Sequence, residues 1–358
     1  MIFSGLNLGY WSDIWKKIVK DDDDILNRCN GKTIFVTGGA GFIGSEVVRQ
    51  ISISGGRAIV FDNLSSGKKK YLSNLRNVKL VRGDIKNRSL IANAIKNCEY
   101  VINLAALPFI PDSYHYPQEF FDINTNGTLN VVLEAMKRRK IKNFVHISTS
   151  EVYGTSKKNP MDENHPTLPQ STYAVSKLAA DRAIFTIHKE HDFPTVIIRP
   201  FNSYGPRITQ PYIIPEIIIQ LLNGDGQVKL GNVESERDFT YVSDTARGII
   251  AALFTDKAIG ETINLGSRKT YKIKQIVNII GSIIGKKPRI VVDKKRIRPY
   301  DVNRLICDNS KAKRILNWKP VISFRDGLEE TINWIEANHI EFNTSFQGWA
   351  KNYRDKSQ

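Results

Sequence analysis

The chain has 358 residues, 41% of them hydrophobic and 25% charged, a globular composition long enough for one large subunit or two lobes. It excludes a disordered chain, a collagen-like chain and a coiled coil. Fifty-two Lys and Arg against 36 Asp and Glu leave a net charge of +16, which invites an anionic partner. The excess is concentrated, because sixteen Lys or Arg between Arg268 and Lys319 face only Asp293, Asp301 and Asp308. No aromatic residues are interleaved there as a base-stacking platform, and no helix-turn-helix, zinc-finger or RNA-recognition signature occurs, so nucleic acid is not expected. Most of these charges should form a solvated surface, with a few facing a small anionic ligand.

Cys29, Cys98 and Cys307 are too few and too scattered for a disulfide framework or a zinc site, which fits a reducing cytoplasm. No stretch reaches the roughly 18 apolar residues of a membrane span, and no secretion signal precedes the body. The prefix, residues 1–30, carries Trp11, Ile14, Trp15, Ile18 and Val19 at helical spacing before the acid run Asp21 to Asp24. This spacing predicts an added amphipathic helix without visible chemistry.

Lys32 to Thr37 is a short β-branched run entering Gly38-Gly-Ala-Gly41-Phe42-Ile43-Gly44, after which Ser45 to Ile53 reads as a helix. Glycines permit the tight turn and close backbone approach to a pyrophosphate, and the free N–H groups at the helix start favour negative charge. A second strand, Ala58 to Phe61, ends at Asp62, where a carboxylate can accept from ribose hydroxyls and repel a 2′-phosphate. NAD is therefore expected over NADP, although Lys68, Lys69 and Lys70 could soften the preference. Val78 to Val81 leads to Asp84-Ile85, and Tyr100 to Leu104 leads to Ala105-Ala106. The alternation predicts an α/β, doubly wound parallel sheet of the Rossmann kind, with Gly38, Asp62, Asp84 and Ala105 at the carboxyl ends where ligands bind.

The strand Phe144 to Ile147 runs into Ser148-Thr149-Ser150-Glu151, and Tyr173-Ala-Val-Ser-Lys177 follows. On a helix the spacing of four puts Tyr173 and Lys177 on one face. A lysine ammonium there is expected to lower the tyrosine pKa, giving a base that works near neutral pH.

With these residues in place the sequence resembles the extended short-chain dehydrogenase/reductases that act on nucleotide sugars. The resemblance runs from about Lys32 to Trp334 on TGGAGFIG, FDNLSSG, GDI, NLAAL, NTNGT, STSEVYG, YAVSK, RPFNSYGP, RDFTYVSDTA and RIRPYDVNRLICDNSKAKRILNWKP. It is strongest to UDP-N-acetylglucosamine 4,6-dehydratases of the legionaminic acid type. It implies an NAD-binding domain, residues 31–200 with a return segment 240–266, and a smaller nucleotide-sugar lobe, residues 201–239 and 267–340, ahead of a tail 341–358. It also implies a homodimer joined by a four-helix contact.

Carried over by position, the resemblance puts NAD against Gly38, Gly41, Phe42, Ile43, Gly44, Asp62, Asn63, Asp84, Ile85, Leu104, Ala105, Ala106, Tyr173 and Lys177. Tyr173 would take the C4 hydroxyl proton, Lys177 would hold the ribose and tune Tyr173, and Thr149 would bind the C4 oxygen. Glu151 would remove the C5 proton as water leaves C6. Relatives acting on dTDP-glucose have Asp where this chain has Ser150, so either Glu151 serves as base and acid or Ser150 relays a water. Asn202, Arg237 and Arg298 would contact the diphosphate, with Asp301 orienting Arg298, while Ser113 would lie near the sugar and Asn124 in support of the site. The loop Phe109 to Tyr114 would border the hexose. A C4 epimerase needs the same residues except Glu151. A uronic acid decarboxylase, a 5,6-dehydratase and a non-catalytic NAD-binding protein could also be built on this scaffold.

Overall fold

The computed structural model describes residues 25–298 and 300–338; the expected helix of Trp11 to Val19 and the tail 341–358 lie outside the described residues. Seven strands form the central sheet: β1 (Thr33–Thr37), β2 (Arg57–Asp62), β3 (Val78–Arg82), β4 (Tyr100–Asn103), β5 (Asn143–Ile147), β6 (Thr195–Pro200) and, after three strands of smaller sheets, β10 (Thr262–Leu265). Their order is β10-β6-β5-β4-β1-β2-β3, parallel throughout. Strands β5 and β6 are buried at every position. Such near-continuous runs of β-branched and aromatic residues are what a parallel sheet covered on both faces demands.

One face is covered by α1 (Phe42–Ile53) and, late in the chain, α6 (Val242–Leu253); the other by α2 (Arg88–Ala94), α3 (Thr128–Met136) and α4 (Thr172–His191). The order reverses on either side of β1, whose neighbours are β2 and β4. That switch point opens a crevice at the strand carboxyl ends.

After β6 the chain leaves the central sheet. A three-stranded sheet, ordered β11-β9-β7, consists of β7 (Asn202–Tyr204), β9 (Glu236–Tyr241) and β11 (Thr270–Lys272). A parallel pair joins β8 (Gln227–Leu230) and β12 (Arg289–Val292). Helices α5 (Ile213–Asn223), α7 (Ile273–Ile284), α8 (Ser310–Leu316) and α9 (Phe324–Ala337) complete the C-terminal half. One core cluster runs from Ile34, Val36 and Val48 through Ile249 to Ile218 and Ile276, so the two sheets' helices share a continuous apolar interior.

The sequence reads Thr270 to Gly285 as a single helix. Here the first three residues instead pair antiparallel with Asp238, Arg237 and Glu236, because β9 offers an open edge, and the helix starts at Ile273. It stops at Gly285, whose φ of 76° is the left-handed cap. Among the described residues no helix is long and apolar enough to cross a membrane.

Candidate active site

A cleft of about 1030 Å³ lies across the switch point, between the central sheet and the C-terminal half. Its floor at one end is the glycine turn. Gly38 has φ +67°, and a Cβ there would stand 2.8 Å from the Ala105 nitrogen; a Cβ on Gly44 would stand 2.1 Å from the Gly38 carbonyl oxygen. The turn can pack this tightly only without side chains. No side chain caps α1, so the backbone N–H groups at its start are left facing the cleft lined by Gly41, Phe42, Ile43 and Gly44. That is an anion cradle of the size and polarity of a pyrophosphate.

Asp62 closes this end. Its Oδ2 accepts the Ala40 N–H at 2.9 Å and its Oδ1 the Leu64 N–H at 2.8 Å, which fixes the carboxylate with lone pairs to spare for two hydroxyls. Asn63 donates to Asp84 at 3.2 Å, tying the ends of β2 and β3 together. Lys68, Lys69 and Lys70 do not line the cleft, although the Lys68 N–H donates to the Ala40 carbonyl. Across the turn, the Ala105 N–H donates to Thr37, whose hydroxyl donates to Asn103 at 2.6 Å. Ile85, Leu104 and Ala106 complete the wall. These groups fit an adenine dinucleotide without a 2′-phosphate.

At the middle of the cleft, β5 leads through Ser148 into Thr149, whose extended backbone starts a 3-10 turn over Ser150–Tyr153 and whose hydroxyl accepts the Glu151 N–H at 3.2 Å. Ser171 caps α4 by accepting the Ala174 N–H, which sets Tyr173 and Lys177 one turn apart on the helix's first two turns. Thr149, Ser150, Glu151, Tyr173 and Lys177 all line the cleft. Burial pushes the Tyr173 hydroxyl up to about 12; a hydrogen bond from Thr149 opposes the rise and the nearby Glu151 carboxylate adds to it. Burial pushes Lys177 down to about 8, with Asp181 opposing.

The expected tuning of Tyr173 by Lys177 is not realised in this state. The ammonium donates instead to the Ile147 carbonyl at 2.6 Å, and burial dominates the phenol. A low-dielectric wall penalises the phenolate, and the Thr149 hydrogen bond opposes that penalty only in part.

At the far end, Arg237 on β9 and Arg298 share Asp301, at 3.4 Å and 3.6 Å from the same carboxylate oxygen. Asp301 therefore orients both arginines, where the sequence assigns it to Arg298. Burial pushes the Arg237 guanidinium down, Glu151 and Asp301 hold it up, and Arg298 repels it. Glu151 thus lies within electrostatic reach of both Tyr173 and Arg237. Asn202, on β7, lines the cleft and donates its amide nitrogen to the Asp238 carbonyl at 3.4 Å.

Two expected positions lie behind the cleft. Ser113 is fully buried and donates to the Ile110 carbonyl at 2.7 Å, so it shapes the loop and is not among the lining residues. Asn124, in a π-helical turn over Phe121–Gly127, accepts the Leu107 N–H at 2.7 Å and donates to Ser176 at 3.0 Å. It braces the wall against α4 next to Lys177. Ser113 is expected near the sugar, and its inward face is what position in a motif does not reveal; Asn124 has the supporting place expected of it.

Sequence reasoning missed Tyr212. It lines the cleft, packs edge-on against Phe109 at 6.3 Å between centroids, and lies within electrostatic reach of Tyr173 and Arg298. Its only sequence signal is its place directly before the apolar run of α5. Among the described residues no cluster of His, Cys, Asp and Glu could hold a metal ion.

A family model described as GDP-mannose 4,6 dehydratase matches residues 35–331. A dTDP-glucose 4,6-dehydratase of Streptomyces niveus is 33% identical over 318 residues, 85% of this chain and 93% of that protein. A UDP-glucuronate 4-epimerase of Thermodesulfobacterium geofontis is 34% identical over 316 residues, 85% of this chain and 96% of that protein. Among solved structures, a dTDP-glucose 4,6-dehydratase from Bacillus anthracis in complex with NAD superposes with a TM-score of 0.77 at 30% identity, covering 86% of this chain and 97% of that one.

Proposed function

The chain belongs to the GDP-mannose 4,6-dehydratase family, the NAD-dependent nucleotide-sugar dehydratases and epimerases of the extended short-chain dehydrogenase/reductase group, and from that premise we infer that it is an NAD-dependent 4,6-dehydratase acting on UDP-N-acetylglucosamine. The observation that carries the reading is Glu151: a carboxylate two residues beyond Thr149, on the same turn, in the cleft and within electrostatic reach of both Tyr173 and Arg237. An epimerase, which takes no proton from C5, has no work for it.

NAD belongs in the cradle of Gly38 to Gly44, with its adenosine ribose on Asp62 and its remaining length along Ala105, Tyr173 and Lys177. When bound it supplies a hydride acceptor that later gives the hydride back. The diphosphate belongs on Arg237, Arg298 and Asn202, where paired guanidinium groups give charge-assisted, bidentate bonds that a lysine could not. The hexose is then assigned the space between the arginines and Tyr173.

Tyr173 is assigned the proton of the C4 hydroxyl, with Thr149 holding the C4 oxygen and Lys177 orienting the ribose. Oxidation at C4 acidifies the C5 proton, and Glu151 removes it. The cleft's other carboxylates, Asp62, Asp84, Glu216, Asp293 and Asp301, belong to the cradle end or to contacts with arginine or asparagine. We therefore assign Glu151 the second role too, protonating the C6 hydroxyl as water departs, with Ser150 as a polar neighbour. A homodimer joined through α3 and α4 is the assembly we assign, supported by the exposed Leu133 and Val175 on those helices.

The test is incubation with UDP-N-acetylglucosamine and NAD in heavy water, followed by mass spectrometry. Loss of one water with deuterium at C5 is the expected result. An isobaric product points to epimerisation, and loss of carbon dioxide from a uronic acid substrate to decarboxylation. If Glu151→Gln dehydrated at the wild-type rate, the role given to Glu151 would be wrong.

A further inference from the structure

Tyr173 and Lys177 ride on α4, whereas Thr149 and Glu151 ride on the 3-10 turn after β5. Chemistry at neighbouring sugar carbons needs these two pieces held to a fraction of an ångström. The contact that joins them lies behind the cleft. Arg199 on β6, 3% exposed, donates Nε to Asp181 Oδ2 at 2.8 Å and Nη2 to Asp181 Oδ1 at 3.0 Å. Its third nitrogen, Nη1, donates to the Tyr153 hydroxyl at 2.9 Å, and the guanidinium lies over the Tyr153 ring at 4.9 Å.

Asp181 is one helical turn beyond Lys177 and two beyond Tyr173, and it is fully buried. Tyr153 is two residues beyond Glu151, and its hydroxyl donates to Asn264 on β10 at 2.8 Å. Asn264 is itself held by Glu163, which accepts its backbone N–H at 2.8 Å. Asp181, Arg199 and Tyr153 do not line the cleft. A planar fork that binds a carboxylate with one edge and a phenol with a third nitrogen is a joint that only arginine can make.

We propose that the buried chain Asp181–Arg199–Tyr153 is a positioning device for the reaction: it locks the Tyr173–Lys177 helix to the Thr149–Glu151 turn, and the Asp181 carboxylate supplies the counter-charge that keeps Lys177 an ammonium. The groups around this pair are few. His146 faces both from β5 and is kept neutral by burial, with its Nδ1 against the Asn103 amide. Arg199 approaches from β6 and Arg182 from α4, and both hold Asp181 ionised. Tyr173 and Glu151 line the same cleft as Lys177. Asp181, one turn from Lys177 on the same helix, favours the ammonium, while Arg199 and Arg182 against it offset part of that support.

The catalytic half of the proposal rests on the dehydratase reading; the Lys177 half does not. The first experiment therefore needs no sugar: carbon-13 titration of the labelled lysine Cε resonances in the full-length chain, with Lys177 identified by its loss in Lys177→Met. Asp181→Asn is expected to lower the Lys177 midpoint by about one pH unit, a tenfold change in proton affinity, and Asp181→Glu to restore it. The second is steady-state kinetics of the NAD-loaded enzyme on the nucleotide sugar it turns over. Tyr153→Phe, which removes one oxygen and leaves two buried partners unpaired, should lower the melting temperature modestly and, assayed well below it, lower kcat by about tenfold with KM within about twofold. An unmoved Lys177 midpoint in Asp181→Asn, or wild-type kcat in Tyr153→Phe, overturns the proposal. Should Asp181→Asn fail to fold, Arg199→Lys, which keeps the charge and loses the fork, carries the kinetic test. A chain that dehydrates nothing but shifts its Lys177 midpoint as expected refutes the dehydratase reading and leaves the counter-charge standing.

Discussion

Lys177 and Ile147 are joined by a 2.6 Å hydrogen bond from the ammonium to the carbonyl, at the carboxyl end of β5. The cation is thereby stored in the wall of the cleft rather than spent on the phenol beside it. Storage is destabilising, because burial lowers the Lys177 pKa from 10.5 to about 8. Between those values the unfolded chain binds the proton and the folded chain does not, so stability rises with pH across that window and is reduced below it. Lys177→Met should therefore stabilise the fold at pH 7, by up to about 3 kcal/mol, and raise the melting temperature while abolishing turnover. Thermal melts from pH 7 to 10.5 check this: the advantage of the variant should shrink as pH rises, and a constant advantage would contradict it.

Asp301 touches both arginines of the proposed diphosphate site, at 3.4 Å and 3.6 Å. Removing it releases two long side chains, each free to lose rotamer order worth about 1–2 kcal/mol. Asp301→Ala should raise KM for the nucleotide sugar by roughly three- to tenfold and leave kcat within about twofold. A lower KM would show that the carboxylate competes with the diphosphate instead of preparing its place.

Gly44 and Gly41 should respond differently to one methyl group. At Gly44 it would stand 2.1 Å from the Gly38 carbonyl oxygen and 2.9 Å from the Gly39 Cα, so backbone must move; at Gly41 the nearest atom is 3.2 Å away. Gly44→Ala is expected to weaken NAD binding by about a hundredfold, some 3 kcal/mol, despite alanine's better helix propensity. Gly41→Ala should cost about tenfold or less. Calorimetric titration with NAD separates the two.

Asp62 is held by two backbone N–H groups with its remaining lone pairs toward the cleft. Asp62→Asn keeps the shape and removes the charge that repels a 2′-phosphate. The ratio of NADP to NAD affinity should rise by about tenfold, measured by competition between the two cofactors. An unchanged ratio would place the discrimination elsewhere, in Ser65 or Ser66 on the adjoining loop.

Much of this molecule is legible in its residues because the relevant forces are local. The glycine turn announces itself through the conformations that only glycine adopts, Asp62 through its place at a strand end, and Tyr173 with Lys177 through helical spacing. Arg237 and Arg298 are legible only through likeness to relatives, since nothing in the basic segment distinguishes Arg298 from the cations around it and Arg237 stands outside that segment. Ser113 shows the limit of that likeness: it occupies a family position near the sugar, yet it turns its side chain into the wall.

The alternation of strands and helices, and with it a parallel sheet, its switch point and a dinucleotide cradle, is written in the order of the residues, because backbone sterics and periodic burial act over a few positions. Which way the charges face is a property of the folded packing. Folding places Asp301 between two arginines, gives the Lys177 ammonium to a carbonyl, brings Tyr212 to the cleft, and threads Arg199 between Asp181 and Tyr153. Several of those relationships join residues tens of positions apart, and all depend on desolvation, which is set by the packing around a group and not by its neighbours in the chain.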